Sequence, residues 1–332
     1  MPAKRPQFGP KWPVRHETIR HFRGDKLLSK TPVMIPQIRE KEDQMIIDCH
    51  YHLDERVQPL ENLLLKMDQN GIEKIALMPN MNDPIPHTPE FLLKMMRFFL
   101  THRSIRGLAK KLAAKFTPEG DLILPKDILT IYKDPENGPI ADTIAAHPDR
   151  FLGWVFVNPR GQNDPVDEYE KWIGHEGYIG VKAHPFWHQF SPRELLPVAE
   201  KVAAAGKPLL IHAGFDSHGD FLPLIDELPE LKLILAHTGF PEYADTWKLV
   251  RGRSNVWLDL SADAYVNAKT ARAAVEYVGV DQCLFGSDGP YGTLSGDEFF
   301  DNGHIKRRIE KLFPDERIQK KLLGDNFSCI IS

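Results

Sequence analysis

Short apolar runs, spaced along the chain and separated by amphipathic stretches, constrain the fold more than any other feature of this sequence. They are Met45–His50, Lys74–Pro79, Phe151–Val157, Tyr178–His184, Pro208–His212, Leu231–His237, Asn255–Leu260 and Gln282–Ser287. Helix-like segments lie between them, around 58–70, 139–147, 164–174, 191–205, 218–228, 241–252, 267–278 and 303–323. Strand-like runs alternating with helical ones are the pattern of a parallel sheet with crossover helices. Gly71, Gly206 and Gly279 stand just past predicted helices, where a left-handed cap is expected. The expected fold is α/β, one (β/α)₈ TIM barrel over 45–332. A length of 332 residues suits such a barrel with insertions, and 42% hydrophobic residues suffice to fill its core.

Two segments depart from the rhythm. Residues 80–138, after the second run, are too long for one crossover. They hold an apolar stretch, Phe91–Leu100, and a basic one, Arg103–Lys115, so a helical insertion is expected there. An insertion after a strand emerges on the catalytic face of a barrel, where it can cap the pocket or contact another subunit. Residues 1–44 form a basic N-terminal extension with ten Lys and Arg against five acids. The extension is read as a solvated arm, because aromatic residues are few there and no RNA-binding signature accompanies the charge.

The formal net charge of −4 argues against a dedicated binder of nucleic acid or of a membrane surface. No apolar stretch approaches the roughly 18–20 residues that cross a bilayer, and the N-terminus has no signal-like apolar core. Cys49, Cys283 and Cys329 have neither disulfide nor zinc-ribbon spacing, which fits free thiols in a reducing compartment. The cytoplasm is the expected location.

The chemistry gathers at the ends of the apolar runs. Asp48-Cys49-His50-Tyr51-His52 closes the first, and strict alternation puts Asp48, His50 and His52 on one face with Cys49 opposite, a buried spectator thiol. Asp48, one layer deeper, is expected to orient one of the imidazoles. The fifth run ends in His212 and the sixth in His237, each followed by a turn. The eighth ends at Ser287-Asp288 before a Gly-Pro turn, and the fourth carries Lys182 and His184 on one face. Catalytic residues of this fold come from the C-terminal ends of several strands, so these side chains are expected to converge.

The motifs His50-Tyr-His52, Gly180-Val-Lys-Ala-His-Pro185, Leu210-Ile-His-Ala-Gly214, Leu235-Ala-His-Thr-Gly239 and Phe285-Gly-Ser-Asp288 resemble the amidohydrolase superfamily. They look most like its amidohydrolase-related branch, which holds aminocarboxymuconate-semialdehyde decarboxylase, aromatic-acid decarboxylases and ring-cleavage hydrolases. The resemblance covers about residues 45–325. It implies that His50, His52, His212 and Asp288 ligate one divalent metal ion. His237 would stay off the metal and act, with Asp288, as a catalytic residue. In parts of the superfamily a fourth-strand lysine is carbamylated and bridges two metals. Lys182 stands on the comparable strand, but its Val-Lys-x-His-Pro setting is more typical of the single-metal branch. Homodimers are common among such proteins.

Three imidazoles and a carboxylate leave coordination positions open, as a catalytic ion requires. Zinc suits that shell best, and manganese or iron is compatible. A divalent cation lowers the pKa of bound water towards roughly 7. The first expectation is therefore a metal-dependent hydrolase of a small, carboxylate-bearing substrate. The alternative is a non-oxidative decarboxylase, a carboxy-lyase acting on an unsaturated or aromatic acid. A phosphoesterase would need more ligands than can be placed, and a non-catalytic barrel would have lost some. Lys182, His184, Arg160 and Trp187 are candidate substrate-binding residues. Arg160 has the competing reading of an exposed salt bridge, and Phe186, Trp187 and His188 that of aromatic packing. Asp259 and Ser261 share a face at the seventh strand's end and are candidate supports for the metal ligands, and Tyr291 is a candidate rim residue.

Overall fold

The computed structural model describes residues 45–85, 90–102, 104–105, 107, 115–124, 127–291 and 299–332. The extension over 1–44 and most of the basic stretch Arg103–Lys115 lie outside the described residues. Eight parallel strands form one sheet in sequential order. They are β1 (Ile47–Leu53), β2 (Lys74–Pro79), β3 (Phe151–Phe156), β4 (Tyr178–Ala183), β5 (Pro208–Ile211), β6 (Lys232–Leu235), β7 (Val256–Asp259) and β8 (Cys283–Leu284). The seam between β8 and β1 is laced by backbone bonds from Cys49 N to Phe285 O (3.0 Å) and from Asp288 N to His50 O (2.7 Å). Helices lie between successive strands, and the result is a (β/α)₈ barrel.

Each strand is buried on both sides, which is why the runs read as continuously apolar. Ile75, Leu77, Val155, Val181, Leu209, Ile211, Leu233 and Leu235 face the helices in the larger core. Ala76, Met78, Trp154, Leu210, Ile234 and Leu284 fill the barrel's interior, joined by Phe327 and Ile330 of the last helix. Burying one such leucine or isoleucine contributes roughly 1.5–3 kcal/mol. Trp154 occupies the space above Gly180, where an added Cβ would come within 2.9 Å of the indole and 2.2 Å of Pro208 O.

In β1 the structure corrects the expected alternation. Ile47 and Cys49 belong to the inner cluster, whereas Tyr51 and Leu53 belong to the outer one. Pairing with β2 shifts between Asp48 and Tyr51, and such an irregularity reverses the phase of every later side chain. His50 and His52 therefore turn inward after the shift. Cys49 is buried inside the barrel below them rather than opposite. The Asp48 carboxylate accepts the backbone N–H groups of His50 (3.1 Å) and Ser287 (2.9 Å), so it braces the seam and orients neither imidazole.

Three other expectations change. Gly71 is left-handed (φ 61°, ψ 40°) and Gly206 has φ 64°, but Gly279, at φ 103°, ψ 153°, has a positive φ outside the left-handed helical region. The helix expected over 303–323 stops at Leu312 and resumes at Glu316. Pro314 between them lacks an N–H and disfavours the helical conformation of its predecessor. The insertion holds the helix Glu90–Thr101 and also a two-residue antiparallel pair, Leu122–Ile123 with Ile128–Leu129. Arg97 on that helix donates to the carbonyls of Ala264 (3.1 Å) and Asp263 (3.0 Å) after β7, while Phe91, Met95, Phe98 and Phe99 stay exposed. Among the described residues no helix is long and apolar enough to cross a membrane.

Candidate metal centre

The C-terminal ends of β1, β5, β6, β7 and β8 deliver His50, His52, His212, His237, Asp259 and Asp288 to one buried region. His50 Nε2 lies 3.1 Å from Asp288 Oδ1, and His52 Nε2 lies 3.6 Å from the same oxygen. These three side chains can place one ligand atom each within a common 4.8 Å.

Hydrogen bonds decide which nitrogens face that point. His50 Nδ1–H donates to Asp259 Oδ2 (2.9 Å), and His52 Nδ1–H donates to Pro79 O (3.0 Å). Both Nε2 atoms are left as lone pairs, assigned from the network as tautomers must be. Two imidazole lone pairs and a carboxylate oxygen converge with the Lys182 ammonium beside them, its Nζ 3.4 Å from His50 Nε2. Such a cluster of acceptors repels itself unless a proton or a metal ion sits among them, and its donor set fits a divalent ion.

The other predicted ligand, His212, stands next to this trio rather than within it. Its Nδ1 is 3.2 Å from His237 Nε2, and its buried Nε2 finds no hydrogen-bond partner among the described residues. A relay runs onward: His237 Nδ1–H donates to Ser261 Oγ (2.9 Å), and Ser261 Oγ–H donates to Asp259. His212 Nδ1–H then donates to His237 Nε2, which leaves His212 Nε2 a bare lone pair, the form a metal ligand requires.

The sequence marks Asp259 as one of two candidate supports, and the structure gives it the larger part. It accepts from His50 Nδ1, from the backbone N–H of His237 (2.9 Å) and from Ser261 N (3.1 Å), so one carboxylate orients a ligand and the neighbouring histidine. Burial works against its charge, but His50, His237 and Ser261 hold its pKa well below the usual range. Asp288 behaves alike: burial pushes it up, and His237 and His50 pull it below. Burial lowers His52 to about 3 and His237 to about 4, keeping both neutral near pH 7. His50 is raised, because Asp259 and Asp288 outweigh burial and Lys182. Burial brings fully enclosed Lys182 down to about 8 against the pull of Asp288 and Asp259.

Backbone strain marks the same place. His237 (φ 53°, ψ 43°), Thr238 (φ 56°, ψ 26°) and Asp288 (φ 60°) are left-handed, and a β-branched residue there costs on the order of 1–3 kcal/mol. Trp247 Nε1–H holds Thr238 O at 2.9 Å.

Of the other candidates, His184 is buried with its ring 4.1 Å from that of His212, and its Nδ1 accepts from Trp187 N (3.0 Å). Trp187 is half-buried at 5.3 Å from the His184 ring. Arg160 is not brought to the cluster: it is exposed and paired with Glu194 at 2.9 Å. An aromatic wall, of which the sequence singled out only Phe186, flanks the histidines. Tyr265 lies 5.0 Å from His237 and 5.7 Å from His212, and Phe240, Tyr243, Phe186 and Phe215 extend the wall. The rings come from the segments that follow four different strands, β4 to β7, so no local pattern announces them as a set.

Comparison with known proteins bears on the fold and the family. No curated protein matches the chain. Among solved structures it is similar to dihydroxybenzoic acid decarboxylase from Polaromonas sp. JS666 with bound manganese and 2-nitroresorcinol (15% identity, 87% of this chain and 97% of that one, TM-score 0.55). It is similar to 4-oxalomesaconate hydratase from Rhodopseudomonas palustris (16%, 86% and 95%, 0.55). A further likeness is to a probable 2-pyrone-4,6-dicarboxylic acid hydrolase from Acinetobacter baumannii with citric acid bound (14%, 86% and 98%, 0.53). At such identities these likenesses speak for the fold alone. The family model described as amidohydrolase matches residues 47–326, and the chain belongs to that family.

Proposed function

We propose that this enzyme uses one divalent metal ion, held by His50, His52, His212 and Asp288, to act on a small, planar carboxylic acid, and that the reaction is non-oxidative loss of carbon dioxide. The observation that carries this reading is the aromatic wall beside the metal centre, with the Tyr265 ring 5.0 Å from His237 and 5.7 Å from His212. Aromatic faces favour a flat, unsaturated substrate. The relatives whose names speak of dihydroxybenzoic, oxalomesaconic and pyrone-dicarboxylic acids support the carboxylate.

The bound cation would polarise the substrate's oxygens, with zinc or manganese equal to that task. The residues supply the rest. In decarboxylation the bond to the carboxylate carbon breaks, its electron pair stays on the substrate, and a proton must reach that carbon. Asp288, with His237 Nε2 3.9 Å from its Oδ2, is positioned to take a proton from water or from an acidic group of the substrate and pass it to that carbon, while the Ser261–Asp259 relay fixes the imidazole. Lys182 balances negative charge beneath the substrate, and His184 with Trp187 lines the adjoining wall.

Hydrolysis is the second reading, favoured by the same His237–Asp288 pair, which suits proton removal from water. Incubation with a panel of hydroxybenzoates, unsaturated dicarboxylates and lactone acids tests both. Carbon dioxide release is expected; a new acid formed without it would make hydrolysis the reaction. His237→Asn should retain metal and lose about 10²–10⁴-fold in turnover. Wild-type turnover in that variant would reduce His237 to a structural residue.

A further inference from the structure

Asp288 sits in a left-handed conformation (φ 60°) just past a strand only two residues long. A strained ligand on so short a strand keeps its place only if the chain is held on both sides of it. On the near side the hold is the seam, with Asp288 N donating to His50 O (2.7 Å) and His52 N donating to Gly289 O (2.6 Å). On the far side it is Tyr291, whose hydroxyl donates to Asp54 Oδ2 at 2.5 Å and whose ring lies 5.8 Å from that of His52.

Asp54 is itself immobilised. It is 3% exposed, and besides Tyr291 it accepts from Arg56 N (3.1 Å), Nε (2.9 Å) and Nη2 (2.8 Å), which uses the lone pairs a carboxylate has. Arg56 extends the net to Asn82 O (3.2 Å), Asp83 Oδ1 (3.3 Å) and Tyr132 Oη (3.1 Å). Tyr132 belongs to the returning limb of the insertion, and its hydroxyl also donates to Asp83.

We propose that Tyr291, Asp54 and Arg56 are positioning residues, a clasp across the β1–β8 seam that sets His52 and Asp288 at ligating distance and ties that spacing to the insertion through Tyr132. The inference rests on reading His50, His52 and Asp288 as the metal centre. The clasp touches neither metal nor substrate; it acts through the two ligands it brackets, two residues after one and three after the other.

The test is binding of zinc and manganese ions, each alone, to the full chain by dye competition. Tyr291→Phe keeps the ring and removes one bond, and Arg56→Gln removes the guanidinium. Each should weaken binding about tenfold, the range seen when a group that orients metal ligands is lost. Arg56→Lys, which keeps the charge, should recover part of it. Tyr132→Phe should produce a smaller loss of the same kind. In turnover, kcat should fall more than KM rises. Binding within twofold of wild type in folded Tyr291→Phe and Arg56→Gln proteins overturns the clasp. Asp288→Asn separates the two levels: if it too binds like wild type, the metal centre itself is wrong, whereas if it alone loses metal, only the clasp is.

Discussion

His304 and Asp259 show how much a single partner decides. Both form histidine–carboxylate pairs, but the Asp259 pair is sealed and the His304–Asp263 pair is half open to water. The bond to Asp263 raises the His304 pKa above 6.5, against burial and despite its place at a helix N-terminus. A histidine raised in the folded state stabilises fully below its unfolded value, and that contribution is lost as pH climbs through the folded one. The difference in unfolding midpoint between wild type and His304→Gln should therefore shrink from pH 5.5 to 8.5; a gap constant with pH would refute the pairing. Individual residues were legible in the sequence where they closed an apolar run, as His212, His237 and Asp288 do. Asp54, Arg56 and Tyr291 were not assembled into a site, because they meet across 237 residues of chain and carry no local pattern.

At the scale of elements, the turn at the end of β6 runs through three consecutive residues of positive φ, His237, Thr238 and Gly239. Gly239 follows two left-handed residues at φ 75°, and an added Cβ would stand 2.4 Å from Thr246 Cγ2. Gly239→Ala should cost about 1–3 kcal/mol, from both the left-handed backbone and the contact, and should displace His237. Chemical denaturation checks it; a midpoint equal to wild type would mean that the turn relaxes freely. Strand existence was readable because double burial leaves an unbroken apolar signature. The phase of β1 was not, since the shift before Tyr51 depends on pairing with β2, which lies in another part of the sequence. The break at Pro314 was visible and simply outweighed by the amphipathic pattern on either side.

For the whole molecule, stability and metal binding should be one equilibrium. The converging lone pairs of His50, His52 and Asp288 cost free energy without a cation, so an ion that binds only the folded state stabilises it by about 2.7 kcal/mol at a hundred times its Kd. For a barrel of this size that is a rise in Tm on the order of 5 °C. Chelation should reverse the rise, and a melting curve indifferent to zinc and manganese would count against the centre. The barrel was legible as a whole because its order is sequential, each run pairing with the next.

The misstep in register near the start of β1 also sets which mutations this enzyme can survive. Removing one residue from the turn around Glu119–Gly120 shortens a surface excursion. Removing Cys49 would straighten the strand and leave His52 inward, whereas a strand that kept every residue and alternated strictly from Ile47 would swing a phenol and a leucine into the cavity and send both imidazoles out among the helices. The barrel would still close, but with an oily throat and nothing left to grip an ion.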